Sequence, residues 1–125
     1  MREPPLILVV DDNEANVDIL VTRLAAKGYA ITTARDGEEA LRKVEESVPD
    51  LILLDVMMPK KSGFEVCQQL RGNPAYAGLK IIMLTAKGRD TEVTKGLDLG
   101  ADAYMTKPFS TKELAAQVKS LLGIA

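Results

Sequence analysis

The chain is predicted to fold as an α/β protein: a five-stranded parallel sheet in the order 2-1-3-4-5, doubly wound, with five helices on its two faces. Three observations predict it. Short apolar runs alternate with amphipathic segments five times along the 125 residues, the rhythm of right-handed β-α-β crossovers. Three runs, Leu6–Val10, Leu51–Leu54 and Ile81–Leu84, are continuously apolar, as strands covered on both faces must be. The other two, around Tyr29–Thr33 and Ala103–Met105, are less apolar and suit the sheet edges, where this order puts the second and fifth strands.

The elements follow in turn. After Leu6-Ile7-Leu8-Val9-Val10, the residues Val17, Leu20, Val21 and Leu24 recur at i, i+3, i+4 and i+7, one face of a helix. Asp12 or Asn13 is placed to cap that helix and Gly28 to end it. Tyr29, Ile31 and Thr33 then alternate as a strand. Asp36 with Glu39 forms a capping-box pattern ahead of a helix with the apolar face Ala40, Leu41, Val44 and Val48, and Pro49 is its stop. Leu51–Leu54 is the third strand, and Phe64, Cys67 and Leu70 mark a short helix after Gly63. Ile81–Leu84 is the fourth strand. The fourth helix, over Thr91–Leu99, carries Val93 and Leu97 but also Gly96, and an interior Gly costs ~1 kcal/mol relative to Ala. Ala103–Met105 is the fifth strand. Ser110 with Glu113 opens a final helix lined by Leu114, Val118, Leu121 and Leu122.

Composition narrows the chemistry. At 125 residues, 1–125 reads as one domain, with 46% hydrophobic and 27% charged residues, too apolar for disorder. Sixteen Lys and Arg against eighteen Asp and Glu leave a net charge of −2, so there is no basic field to hold nucleic acid. No apolar run approaches the ~20 residues that a bilayer requires, so no membrane contact is expected. Met1–Pro5 is too short and polar to be a signal peptide. The lone Cys67 cannot form an internal disulfide and fits a reducing, cytoplasmic setting. With no histidine, the usual zinc sites and the Ser-His-Asp and Cys-His nucleophile systems are excluded. What remains is carboxylates, hydroxyls and amines.

Those groups stand immediately after the strands. The first ends in Asp11-Asp12, the third in Asp55, the fourth in Thr85, and the fifth runs through Thr106 into Lys107. Taken singly, a strand-end Asp is most often a helix cap or turn former. Together they share one rim, because ligands of open parallel sheets bind at the carboxyl ends of the strands where the strand order reverses. Three carboxylates there repel, at about 4 kcal/mol per pair for charges about 4 Å apart in an effective dielectric near 20. Lys107 supplies one compensating charge. A hard divalent ion such as Mg²⁺, bound through oxygens, supplies the rest. A carboxylate nucleophile, a hydroxyl, an ammonium and a metal suit phosphoryl transfer, in which an aspartate attacks phosphorus to give an acyl phosphate.

The sequence resembles the receiver domain of two-component response regulators, the chemotaxis-regulator-like branch of the flavodoxin-like fold. The likeness runs from about Leu6 to Leu122. It is carried by Leu6-Ile7-Leu8-Val9-Val10-Asp11-Asp12, by Asp55-Val56-Met57-Met58-Pro59 with Gly63, by Thr85-Ala86, and by Gly100-Ala101-Asp102-Ala103-Tyr104 leading to Lys107-Pro108-Phe109. The resemblance implies that Asp55 accepts a phosphoryl group from the phosphohistidine of a sensor histidine kinase or a phosphotransfer protein. It implies Mg²⁺ held by Asp12 directly, by Asp11 through water, by Asp55 and by the backbone carbonyl of Met57. Lys107 and Thr85 would each meet a phosphoryl oxygen, and a cis peptide bond, found at ~5% of X-Pro bonds, would precede Pro108. Tyr104 would be the switch aromatic, turning inward with Thr85 and changing the surface of the fourth helix, fifth strand and fifth helix. A downstream protein, an output domain or a second copy in a homodimer would dock there. The domain would be no enzyme beyond promoting its own phosphorylation and dephosphorylation.

Two positions leave the phosphoryl lifetime open: Met57, two residues after Asp55, and Lys87, two after Thr85. The Asp-Asp-x-x-x-Asn pattern ending at Asn16 resembles receivers of hybrid kinases, cyclase-linked regulators and single-domain regulators. Rival readings fare worse. A dehalogenase-like phosphatase needs a second Asp where Met57 stands, and a flavodoxin needs a hydroxyl- and Gly-rich loop where Asp11-Asp12-Asn13-Glu14 stands. A pseudo-receiver, an interaction module without phosphotransfer, would not need the full set Asp11, Asp12, Asp55, Thr85 and Lys107.

Overall fold

Five strands and four helices alternate in the computed structural model, which describes residues 3–56, 62–86, 100–107 and 110–123, with the side chains of Ala86 and Lys107 outside that description. The order is β1 (Leu6–Val10), α1 (Glu14–Ala26), β2 (Ala30–Ala34), α2 (Gly37–Glu46), β3 (Leu51–Asp55), α3 (Gly63–Arg71), a 3-10 turn (Pro74–Tyr76), β4 (Lys80–Ala86), β5 (Ala103–Lys107) and a C-terminal helix (Thr111–Leu122). The strands are all parallel in the expected order β2-β1-β3-β4-β5. The fourth helix expected over Thr91–Leu99 falls outside the described residues.

Alternation along each strand divides the core into two layers, because successive strand side chains point to opposite faces. Leu8, Val10, Ile52, Leu54, Ile81 and Met83 pack with Ala40 and Val44 of α2 and with Val66, Cys67 and Leu70 of α3. Ile7, Val9, Leu51, Leu53, Ile82 and Leu84 pack with Leu20 and Leu24 of α1 and with Leu114 and Val118 of the C-terminal helix. The central strands are therefore buried along their length, while β2 is half-buried except at Ala34. That contrast is what the uneven hydrophobicity of the five runs encodes.

Helix ends follow local chemistry. Asn13 caps α1, its side chain accepting from the Asn16 N–H, and Gly28 beyond the helix has φ +96°, a conformation that favours glycine. Asp36 accepts from the Glu39 N–H at 2.8 Å, but Glu39 Oε1 accepts from the Arg35 N–H rather than returning to Asp36. Ser62 and Glu65 form a reciprocal capping box at α3. Contrary to the sequence expectation, α2 stops at Glu46, so Val48 is not on its apolar face and is 39% exposed. The residue before a proline is driven out of the α region, so Pro49 ends the helix upstream of Val48. Among the described residues, no helix is long and apolar enough to cross a membrane.

Candidate functional site

Register builds the site. β1 pairs with β3 through Val10↔Leu54, so the next residue on each strand, Asp11 and Asp55, emerge side by side at the carboxyl edge. β3 pairs with β4 through Asp55↔Leu84, which sets Thr85 one step further along the same rim. β4 pairs with β5 through Thr85↔Thr106 and Ala86↔Lys107, so the Lys107 backbone reaches that edge too. β1 and β3 flank the point where the strand order reverses, the place a doubly wound sheet opens to ligands.

Carboxylate oxygens of Asp11, Asp12 and Asp55 all lie within 4.8 Å of one another. Asp11 is 1% exposed, Asp55 7% and Thr85 2%, whereas Asp12 faces solvent. Asp11 is held by its neighbours: Oδ1 accepts from the Asn13 N–H at 2.9 Å and Oδ2 from the Asn16 side-chain amide at 3.5 Å. Hard oxygen donors gathered from two strand ends are the donor set a divalent cation such as Mg²⁺ takes. Beside them a groove of about 700 Å³ runs between α1 and β2, lined by Asp11, Glu14, Asp18, Thr33 and Arg35. The Arg35 guanidinium there is engaged with Glu14 at 2.7 Å, so it is not committed to the carboxylate cluster.

Close packing under the site comes from Gly63. Its N–H donates to the Val56 carbonyl at 3.0 Å, and a Cβ at this position would stand 2.9 Å from Val56 Cα and closer still to the Asp55 carbonyl oxygen. A side chain here would push on the strand end that carries Asp55.

Of the residues singled out in the sequence, Asp11, Asp12, Asp55 and Thr85 come to one rim. Tyr104 sits two residues before Thr106 on β5, opposite Met83, and is half-buried against the core layer of α2 and α3. Thr85 and Tyr104 thus stand on adjacent strands two register steps apart. Met57, Lys87, Pro108 with its expected cis bond, and the Lys107 side chain lie outside the described residues. Two features escaped the sequence. The Ser62–Glu65 box was detectable as Ser-x-x-Glu ahead of an apolar run. An Arg71 clamp was not: its guanidinium donates to the carbonyls of Gly100 and Leu79 at 2.8 and 2.7 Å and pairs with Asp102, which also accepts from the Ile81 N–H. Partners thirty-one residues apart leave no local pattern.

A doubly wound parallel sheet with a carboxylate cluster at its switch point defines a class of α/β proteins that bind ligand beyond the strand ends. Within that class, the chain belongs to the response regulator receiver domain family, whose model matches residues 7–119. Among curated proteins it is 54% identical over 116 residues to the alkaline phosphatase synthesis transcriptional regulatory protein PhoP of Bacillus subtilis, covering 93% of this chain and 48% of that protein. It is 48% identical to the phosphate regulon transcriptional regulatory protein PhoB of Rhizobium meliloti, covering 94% and 52%. The chain thus spans about half the length of these relatives. Solved structures agree: the signal receiver domain of a signal transduction histidine kinase from Syntrophus aciditrophicus superposes with a TM-score of 0.90 at 36% identity, covering 95% of this chain and 90% of that one. The chemotaxis protein CheY4 of Vibrio cholerae gives 0.87 at 32%, covering 94% and 98%.

Proposed function

We propose that this receiver domain, read as a single unit over residues 1–125, carries a phosphoryl group on Asp55 as a step in a two-component phosphorelay. The donor is the phosphohistidine of a sensor histidine kinase or of a phosphotransfer protein. An Asp55 carboxylate oxygen attacks phosphorus, the P–N bond to the donor imidazole breaks, and that nitrogen keeps the electron pair and takes a proton. The product is an acyl phosphate on Asp55. The observation that carries the reading is the gathering of three carboxylates within 4.8 Å at the ends of β1 and β3, with Asp55 itself buried.

Asp11, Asp12, Asp55 and the Met57 carbonyl are the groups that would hold Mg²⁺, which when bound offsets the carboxylate charge and that of the incoming phosphoryl oxygens. Lys107 supplies a second cation to those oxygens and the Thr85 hydroxyl a hydrogen bond. Phosphorylation adds roughly −1.5 to −2 charges at the rim, by analogy with phosphoserine. Thr85 drawn toward them frees space on its face of the sheet for Tyr104 to turn inward. The surface of the fourth helix, β5 and the C-terminal helix then changes for an output domain, a partner protein or a second copy. The domain turns over no substrate besides its own phosphoryl group and works in the cytoplasm. The relatives named as transcriptional regulators are about twice as long, so we assign any action on transcription, and any contact with nucleic acid, to residues beyond the matched segment.

Intact mass after incubation with a small-molecule phosphodonor tests this. A hydroxylamine-labile gain of one phosphoryl group in the wild type, dependent on Mg²⁺ and absent in Asp55→Asn, is expected. Equal labelling of Asp55→Asn would remove Asp55 from the role. No labelling even by a histidine kinase, together with no Mg²⁺ binding, would make the domain an interaction module.

A further inference from the structure

Asn13 and Asn16 join the site to the first turn of α1 in an unusual way. In a capping box, the side chain three residues into the helix turns back to the N–H of the cap residue. Here that N–H, on Asn13, is already taken by Asp11 Oδ1 at 2.9 Å. The Asn13 side chain in turn accepts from the Asn16 N–H at 3.1 Å. The Asn16 side chain is therefore free of the capping task. Side chains in a helix point back toward its N-terminus, and the Asn16 amide reaches Asp11 Oδ2 at 3.5 Å. Since a carboxylate only accepts, the amide must offer its NH₂ there. The Glu that a capping box would ordinarily place at this position would add a fourth carboxylate to the three within 4.8 Å.

We infer that Asn16 is a positioning residue for the cation site: its amide fixes the plane of the Asp11 carboxylate, so that Asp11, Asp12 and Asp55 are arranged before the ion arrives. The inference rests on reading the cluster as a Mg²⁺ site. The Asn13 N–H on Oδ1 and the Asn16 amide on Oδ2 oppose rotation of the Asp11 carboxylate away from its two negative neighbours. Losing a partner that orients a metal-binding group typically weakens metal affinity by about 10- to 100-fold.

The experiment is a Mg²⁺ titration by calorimetry on the wild type, Asn16→Leu, Asn16→Ala and Asp12→Ala, with phosphodonor labelling rates measured across Mg²⁺ concentrations. Both Asn16 variants keep the backbone N–H that the Asn13 cap uses, and having two guards against one failing to fold. The expected result is a dissociation constant for Mg²⁺ raised about tenfold or more in the Asn16 variants, with a labelling rate at saturating Mg²⁺ close to that of the wild type. A lowered metal-free melting temperature with an unchanged dissociation constant would mean a purely structural role and overturn the inference. Asp12→Ala separates this from the larger reading: if it bound Mg²⁺ as the wild type does, or the wild type bound none, the cation site itself would fall and this inference with it.

Discussion

At Gly63 a single added methyl group would collide with backbone. The missing Cβ lets α3 start against the backbone of Asp55 and Val56. Gly63→Ala is expected to destabilise by about 1–3 kcal/mol, the usual penalty of overpacking, and to slow phosphodonor labelling by shifting the end of β3. Urea unfolding reads the first effect and intact mass the second; a variant matching the wild type in both would show that the contact relaxes freely. Cys67 offers a different probe. Burial pushes its thiol above the ordinary 9.0, outweighing the lowering from the nearby Arg71 charge. The folded state thus holds the thiol proton more tightly than the unfolded chain. Its contribution to stability is full below about pH 9 and declines as pH rises beyond that. Alkylation at about pH 8 should be negligible in the native protein and complete in urea, and rapid native labelling would contradict the burial.

At the scale of elements, the Arg71 clamp ties the end of α3 to the start of β4 and the entry to β5. One guanidinium serves the carbonyls of Leu79 and Gly100 and the carboxylate of Asp102. Gly100 stands at φ +101°, and a Cβ there would lie 2.9 Å from Arg71 Cγ, so the glycine both makes the turn and leaves room for the clamp. Arg71→Ala takes this donor from the Leu79 and Gly100 carbonyls and the cation from Asp102, which keeps the Ile81 N–H, and is expected to lower stability by about 2–3 kcal/mol, read from the urea midpoint. A loss below about 0.5 kcal/mol, the level of an ordinary surface substitution, would mean that water replaces the arginine.

The molecule as a whole is one sheet with a core on each face, and the site sits at the edge both cores share. Ile52 and Leu53 are adjacent in β3, fully buried, and point into opposite layers. Ile52→Ala and Leu53→Ala should each cost about 2–5 kcal/mol. Each should leave a single cooperative transition, because every central strand belongs to both layers. Two separable transitions in either variant would show that the layers unfold independently.

Strand order, two-sided burial and the rim of reactive side chains were all legible in the residue pattern. Those follow from rules with short range: apolar runs that must be covered, crossovers of fixed hand, and polar residues placed where each strand stops. Asp11, Asp12, Asp55 and Thr85 could be assigned to one edge before any coordinates, since parallel strands all end on the same side. Contacts between distant segments, and competition among near ones, emerge only on folding. Arg71 finds Asp102 thirty-one residues further along the chain, and Gly63 meets the backbone of Asp55. The Asn16 amide turns to Asp11 because the cap N–H it would otherwise serve is already bonded. Each depends on register and on which of several donors reaches an acceptor first, and neither is written in residue spacing alone.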